Sequence, residues 1–185
     1  SLQEFKKPRK GGILAINLRE DDEVVEVKLT GGGMNFVLGT RNGRAVRFKE
    51  GDIRIMGRTA SGVRGIKLVK DEVVGMEVAM DDGDLLTVTE NGFGKRTKIE
   101  GYRLISRGGK GVRNIKVTEK NGKVIGIKTV KDFDEIMCVT DKGQIIRMSV
   151  KGISKIGRNT QGVRLVRLRS DDKVASLSRV VVNGD

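Results

Sequence analysis

The chain has 185 residues, of which 37% are hydrophobic, enough for one or two domains with a buried core. The chain has 37 lysine and arginine residues against 24 acidic residues, a net charge of +13. This charge indicates a nucleic acid or another anionic surface as partner, and the alternative is a basic protein whose charge serves only solubility. With no histidine and one cysteine, the chain excludes histidine catalysis, histidine-ligated metals and internal disulfides.

In chain order, the opening "SLQEF" resembles the end of a repeat, and "GILAINL" from Gly12 is a degenerate copy of a strand that recurs three times. The clear copies are "GVRGIKL" from Gly62, "GVRNIKV" from Gly111 and "GVRLVRL" from Gly162, spaced by 49 and 51 residues. The turns "RNGR", "ENGF" and "DKGQ" recur at the same spacing and predict hairpins that need positive φ at glycine. The chain ends after the second strand of a unit, "VASLSRVVV", which suggests a piece of a longer array or a ring that shares strands.

Each unit contains four short runs of strand character, and no stretch shows a sustained helical period. We therefore predict an all-β, propeller-like ring of about four four-stranded blades with a repeat of about 50 residues. The predicted domain spans residues 1–185, with repeats at about 1–40 (partial), 41–89, 90–140 and 141–185. An antiparallel sandwich is the alternative, but it would not need this period.

Positive charge recurs at four positions of the unit through three copies, where a residue kept only for solubility could change sign. In the strand "VRGIKL", Ile66 shares a face with Leu68, so Lys67 points the other way. By the same alternation in "RAVRFK", Arg47 and Lys49 lie opposite Val46, and we expect Lys67, Arg47 and their copies to point outward. Arg64 falls on the apolar side and could instead pair with an acid or a carbonyl. The candidate DNA-binding residues are Arg47, Lys49, Arg58, Arg64, Lys67, Lys95, Arg96, Lys98, Arg107, Lys110, Arg113, Lys116, Arg147, Arg158, Arg164 and Arg167.

Motifs for other chemistry are weak. "GRTASG" lacks the Lys-Ser/Thr and the helix of a phosphate loop. The acidic turn with Asp81, Asp82 and Asp84 is replaced by "TGGGM" and "VKDFD" in the other copies, so it predicts a solvated hairpin and not a calcium loop. Cys138 lies in an apolar run and is predicted to be a buried, unreactive thiol, and Tyr102 a packing residue. No constellation predicts an enzyme, a metal or a cofactor. No apolar stretch approaches the roughly 20 residues of a membrane span, so we expect a soluble, cytoplasmic protein.

Four motifs closely resemble the C-terminal domain of the bacterial DNA gyrase A protein: "NGFGKRT", "GRNTQGVR", "MGRTASGVRGIKL" and "KGVRNIKVTEKNG". The paralogous domain of topoisomerase IV is similar, but its motifs are more degenerate. The resemblance covers essentially the whole chain and implies a β-pinwheel whose neighbouring blades exchange strands. It also implies a non-catalytic, nucleoid-associated domain that wraps duplex DNA around a basic rim to support negative supercoiling. The implied partners are duplex DNA, the rest of the gyrase A protein, and the gyrase B protein.

Two features depart from the family pattern. Its members carry about six blades, whereas this sequence supplies about four. The signature box Gln-Arg-Arg-Gly-Gly-Lys-Gly is matched only by its last five residues, in a middle repeat, where they could form a local phosphate nest. This partial box consists of Arg107, Gly108, Gly109, Lys110 and Gly111.

Composition favours binding through phosphates. Aromatic residues are only 3% of the chain, which disfavours base stacking on single strands and favours duplex binding with little sequence preference. The isolated domain is expected to be monomeric. The alternatives are a topoisomerase IV domain for DNA segment selection, and a protein-interaction propeller with an acidic partner. The loops are rich in Gly, Ser, Thr and Arg, which does not suit the latter, and the scattered acids do not suit a propeller hydrolase.

Overall fold

The computed structural model describes residues 2–7 and 9–180, and within these ranges the fold is all-β, as predicted. Helical structure in these ranges is limited to single 3₁₀ turns at Leu2–Phe5, Glu50–Asp52, Ile99–Gly101 and Val150–Gly152. The strands are β1 (Asn35–Thr40), β2 (Arg44–Lys49), β3 (Val73–Val78), β4 (Asp84–Thr89), β5 (Phe93–Lys98), β6 (Val112–Arg113), β7 (Val124–Val130), β8 (Glu135–Thr140), β9 (Ile145–Ser149), β10 (Val163–Arg164) and β11 (Val174–Val180).

The strands form three antiparallel sheets, each built around a hairpin. The first sheet has the order β3-β1-β2-β6, the second β7-β4-β5-β10, and the third β11-β8-β9. The short strand β6 follows the hairpin of the second sheet in sequence, yet it pairs with β2 of the first, at Arg44↔Arg113 and Ala45↔Val112. In the same way β10 pairs with β5 of the second sheet. Strands are therefore exchanged between successive units, as the resemblance implies.

Glycine makes both the hairpins and the strand exchange possible. Gly92 turns the β4–β5 hairpin with φ +76°, a conformation that residues with a side chain rarely adopt. Gly111 precedes β6 with φ +65°, and a Cβ there would lie 2.4 Å from the carbonyl oxygen of Ala45. The exchanged strand can approach β2 only because this position has no side chain.

The sheets pack face against face around β3, β7 and β11, which contact one another from sheet to sheet. The opposite edge, where β6 and β10 lie, is the rim. Val37 of the first sheet and Leu85 of the second belong to one apolar cluster, and Leu86 of the second and Ile136 of the third belong to another. Leu85 and Leu86 are adjacent on β4 and both fully buried, so the middle hairpin has no solvent-facing side.

The described residues form three sheets, whereas about four blades were expected. Residues 9–34 contain no strand, although residues 23–30 correspond by spacing to β3, β7 and β11. Each of those strands pairs with the hairpin that precedes it in the chain, and no hairpin among the described residues precedes residue 23. Without a partner strand, segment 23–30 leaves Val27 and Leu29 about four-fifths exposed, at 81% and 77%.

The helical turns of the described residues are too short to cross a lipid bilayer. The repeat boundaries predicted from the sequence remain a prediction, because every sheet combines strands from more than one repeat.

Candidate nucleic-acid interface

The rim is built from two kinds of segment that alternate along it. We call residues 64–67, 113–116 and 164–167 the rim segments, and residues 57–62, 106–111 and 157–162 the rim loops. The Lys67 N–H donates to the Gly109 carbonyl at 2.8 Å, and the Lys116 N–H donates to the Thr160 carbonyl at 2.9 Å. Rim loops 106–111 and 157–162 are therefore bonded through their backbone to the rim segment of the preceding repeat, and rim loop 57–62 is bonded in the same way to Asn17, whose N–H donates to the Ala60 carbonyl at 3.2 Å.

Each rim segment presents two exposed cations. Lys67, Lys116 and Arg167 are exposed, in the orientation that strand alternation predicts. The side chains at the start of the segments, Arg64, Arg113 and Arg164, are also exposed. Arg64 forms no side-chain hydrogen bond or ion pair within residues 2–7 and 9–180, so the alternative of a structural pairing for its side chain is not realised. Arg164 lies over the Phe93 ring, 5.1 Å from its centroid.

Four further predicted residues are exposed elsewhere on the molecule. Lys49 and Lys98 occupy the last positions of β2 and β5, and Lys110 lies in the middle rim loop. Arg147 on β9 is exposed but forms an ion pair with Glu135 of the same hairpin. A phosphate would have to compete with that carboxylate for the Arg147 guanidinium.

Arg47 and Arg96 do not point outward, which corrects the prediction. Both side chains face the next sheet, because the first two hairpins are packed on both faces. Arg47 donates to the Ile99 carbonyl and reaches Asp81 at 3.4 Å. Arg96 is 5% exposed, and its guanidinium donates to the Ile153 carbonyl at 2.9 Å and pairs with Asp84 and Asp132. These arginines tie adjacent sheets together, and Arg96 presents no free face to DNA.

Lys95 is also wrong as a DNA contact, because its side chain is completely buried. Its Nζ donates to Thr97 Oγ1 and to the Gly157 carbonyl, each at 2.8 Å. Burial, with a smaller contribution from the nearby charge of Arg158, lowers the pKa of Lys95 from 10.5 to about 8. The corresponding residues of the other hairpins, Val46 and Ile146, are apolar, so the recurring pattern gave no reason to expect a cation here.

The recurring loop arginines Arg58, Arg107 and Arg158 are half-buried, and each donates to a backbone carbonyl of the preceding repeat. The acceptors are themselves spaced by 50 and 49 residues, so the three bonds are copies of one interaction. Part of the hydrogen-bonding capacity of these arginines is thus directed into the protein. The bonds run from Arg58 to Leu14 at 2.7 Å, from Arg107 to Arg64 at 3.1 Å, and from Arg158 to Arg113 at 2.9 Å.

The partial box, residues 107–111, is held from two sides. Its Gly108 N–H donates to the Gly65 carbonyl at 2.6 Å, so this amide of the expected phosphate nest is already used. On the other side, the Arg44 guanidinium donates to the Lys110 and Gly111 carbonyls at 2.6 and 2.9 Å. Arg44 was missed at the level of sequence because Phe93 and Gln144 stand at the corresponding positions and the charge does not recur.

Other candidate chemistry is accounted for by packing and pairing. Asp81, Asp82 and Asp84 each pair with a lysine or arginine, and no acidic, cysteine or histidine group in the described ranges could hold a metal ion. Cys138 is buried, and burial raises its pKa to about 11, which disfavours a reactive thiolate. Tyr102 is buried in the core, as predicted.

Comparisons with known proteins decide the family. The chain matches the family described as "DNA gyrase C-terminal domain, beta-propeller" over residues 1–30, 35–80, 83–131 and 134–180. The chain belongs to this family. Its four matched segments follow the period of about 50 residues seen in the sequence.

Relatives are DNA gyrase A proteins of several bacteria. The chain is 51% identical to that of Klebsiella oxytoca over 178 residues, covering 96% of this chain and 20% of the relative. It is 45% identical to that of Staphylococcus aureus over 188 residues, covering the whole chain and 21% of the relative. The chain thus spans about a fifth of the length of these gyrase proteins.

Solved structures agree with the gyrase family assignment. The C-terminal domain of DNA topoisomerase IV superimposes with a TM-score of 0.91 at 29% identity, over 97% of this chain and 57% of that one. The DNA gyrase A C-terminal domain superimposes with a TM-score of 0.86 at 28% identity, over 93% of this chain and 59% of that one. The pinwheel-type all-β fold predicted from the sequence is confirmed by these neighbours.

Proposed function

We propose that this gyrase-family chain binds duplex DNA along its rim and wraps it, without catalytic activity of its own. The observation that carries this proposal is the repetition of exposed cations on successive rim segments: Arg64 with Lys67, Arg113 with Lys116, and Arg164 with Arg167. A surface that repeats positive charge with the period of the chain matches the repeated phosphates of a duplex better than it matches a single small ligand. Binding through phosphates makes the interaction largely independent of sequence.

The proposal has a quantitative consequence for salt. If about 8 phosphates are neutralised, the logarithm of the affinity falls against the logarithm of salt concentration with a slope near −7. Bending 20–30 bp of DNA costs on the order of 1–6 kcal/mol, so contacts from one rim segment alone would not hold a wrap. The cations of several sheets must act together.

The direct experiment measures DNA topology. The protein is bound to nicked plasmid, the nick is ligated, and the linking-number change is counted as protein is added. We expect a change that grows with protein concentration and has one sign. Salt-dependent binding without a linking-number change would contradict wrapping by this chain while leaving DNA binding intact; absence of salt-dependent binding would overturn the whole proposal.

Charge reversal tests the rim itself. The double variant Lys67→Glu, Lys116→Glu is expected to weaken binding about tenfold or more for every duplex sequence alike, because two phosphate contacts become repulsive. The matched control, Lys70→Glu with Lys142→Glu, changes net charge equally at exposed turns outside the rim segments and should weaken binding much less. Loss of binding to one sequence only would contradict recognition through phosphates.

We further propose that the chain acts as part of a DNA gyrase, with the rest of the gyrase A protein and with the gyrase B protein, in the bacterial cytoplasm. Support comes from identities near 50% to gyrase A proteins. The alternative parent, topoisomerase IV, is supported by the TM-score of 0.91 to its C-terminal domain. A negative linking-number change in the topology experiment favours the gyrase role, and segment binding without a signed change favours the topoisomerase IV role.

A further inference from the structure

The repeated bonds of Arg58, Arg107 and Arg158 suggest a role other than direct contact with DNA. Each guanidinium extends from a rim loop to a carbonyl of the preceding repeat. In two of the three copies that carbonyl belongs to an exposed arginine of a rim segment, Arg64 or Arg113. Each of these two bonds therefore fixes the backbone from which a candidate phosphate-binding side chain projects.

We infer that Arg58, Arg107 and Arg158 are positioning residues, which set the spacing of exposed cations along the rim by bonding each rim loop to the preceding repeat. The inference rests on the proposed DNA-wrapping function. It assigns the recurring loop arginine to the geometry of the interface, and the recurring rim-segment cations to phosphate contact.

The surroundings of Arg158 show why arginine is required for this task. Its Nη1 donates to the Arg113 carbonyl at 2.9 Å while its guanidinium lies over the Tyr102 ring, 6.0 Å from the centroid. Arg107 divides its donors between two carbonyls, with Nε bonded to Asp52 at 2.9 Å and Nη1 bonded to Arg64 at 3.1 Å. The planar guanidinium can stack and donate in two directions, whereas a lysine ammonium is a point donor on a flexible stem.

Wrapping requires this positioning more strongly than simple binding does. A short duplex can be held by the cations of one rim segment, but a wrapped duplex must meet successive segments at a spacing set by the protein. A rim loop released from its neighbour would leave the charges present but no longer in register. The expected defect is therefore lost wrapping with preserved electrostatic attraction.

The substitution Arg158→Lys separates the two roles because it keeps the charge. For a positioning residue, we expect the linking-number change per bound protein to fall at least twofold, affinity for a 20-bp duplex to change less than about threefold, and the salt slope to stay the same. Arg158→Gln should lose wrapping to the same extent as Arg158→Lys. By contrast, Arg113→Gln should lower the magnitude of the salt slope by about 0.9, the value expected for one phosphate contact.

Two controls keep the result interpretable. Arg54→Lys, at an exposed arginine outside the rim segments and loops, should behave like the unsubstituted protein. Circular dichroism and thermal melting confirm that each variant is folded at the assay temperature. If Arg158→Lys does not fold, Arg58→Lys tests the same bond at Leu14, outside the three sheets.

The inference is overturned if Arg158→Lys wraps DNA like the unsubstituted protein while Arg158→Gln reduces the magnitude of the salt slope by about 0.9. Arg158 would then be a phosphate contact. That outcome leaves the proposed function standing. If the unsubstituted protein itself shows no salt-dependent binding, the proposed function fails first, and the positioning role fails with it.

Discussion

The first and second sheets share one strand arrangement but differ in the polarity of the side chains on one buried face. Both carry a hairpin, an inner strand and a short exchanged strand in the same order. In the first sheet, the face that contains Val46 is an apolar cluster. The second sheet has hydroxyls and an ammonium at the corresponding positions. The matched pairs are Leu38 and Thr87, Val46 and Lys95, Phe48 and Thr97, and Ile53 and Tyr102.

The polar groups of the second sheet satisfy one another inside the core. Tyr102 OH donates to Asn114 Oδ1 at 2.6 Å, and the Asn114 amide group donates to Thr87 Oγ1 at 3.0 Å. Thr97 Oγ1 donates to the Ile156 carbonyl at 2.7 Å and accepts from Lys95. Because each buried group has a partner, this sheet can contain polar residues that would be costly if they were left unpaired.

The difference shows that the repeat specifies backbone geometry more strictly than core chemistry. The turn glycines recur in all three hairpins and the rim pairing recurs in the first two sheets, whereas the interior changes from apolar to polar between these neighbours. Thr97 donates to the Ile156 carbonyl and Lys95 donates to the Gly157 carbonyl, at the start of a rim loop. The polar interior of the second sheet thus helps to hold that loop in place.

The largest expected effect comes from moving the lysine into the apolar sheet. We expect Val46→Lys to lower the free energy of unfolding by about 3–5 kcal/mol, because it buries a charge where Phe48 replaces the hydroxyl acceptor of Thr97. Chemical denaturation at pH 7 measures the change. Val46→Met, which adds bulk without charge, is the control and should cost about 1 kcal/mol. A loss below about 1 kcal/mol for the lysine variant would mean that the polar partners of Lys95 are not what accommodates it.

The converse substitution, Lys95→Met, should stabilise the protein at neutral pH. The folded state lowers the pKa of Lys95 to about 8, from 10.5. Below pH 8 the lysine is protonated in both states, and the folded state bears the cost of the buried charge. Since the unfolded state binds more protons between pH 8 and 10.5, the stability of the unsubstituted protein rises across that window. We expect Lys95→Met to gain about 1–2 kcal/mol at pH 7, less than the full linkage value because the substitution also removes the two hydrogen bonds that the ammonium donates.

Denaturation of both proteins at pH 7, 8, 9 and 10 tests this linkage. The stability difference should shrink steadily above pH 8 and be smallest near pH 10. The Gly157 carbonyl keeps its bond from Thr160 Oγ1, at 3.0 Å, so removal of the ammonium does not leave it without a donor. A difference that is constant with pH would show that Lys95 does not titrate in this range.

The sequence predicted the parts of the fold that depend on local chemistry. Glycine at the turns and at the entry to the exchanged strands has no substitute where φ is positive, so its recurrence revealed the unit. Lys67 and Lys116 were correctly predicted to be exposed, because the rim segments have one free face. The partners of a strand across repeats, such as β6 on β2, could not be derived from spacing alone and entered only through the resemblance.

The errors at Arg47 and Arg96 have one physical cause, whereas Lys95 corresponds to Val46 and stands on the face that alternation assigns to the interior. Strand alternation assigns two faces, but it identifies the outward face only when one of them meets solvent. Here the next sheet covers the second face, so the side of β5 with Arg96 and the side with Lys95 are both buried. The recurring loop arginines allow two interpretations for a related reason, because a charge kept through three copies can preserve a bond to backbone as well as a contact with DNA.

The smallest expected effect concerns the hydroxyl that replaces apolar packing in the second sheet. Burial raises the pKa of Tyr102, so the phenol stays protonated and acts as a donor. Tyr102→Phe removes its bond to Asn114, but the same Asn114 oxygen still accepts from Thr87 at 3.2 Å. We therefore expect a loss of about 1 kcal/mol, comparable to Ile53→Val at the matching position of the apolar sheet. A loss above about 3 kcal/mol for Tyr102→Phe, with Ile53→Val unchanged, would mean that the polar sheet depends on its network as a unit rather than on separate bonds.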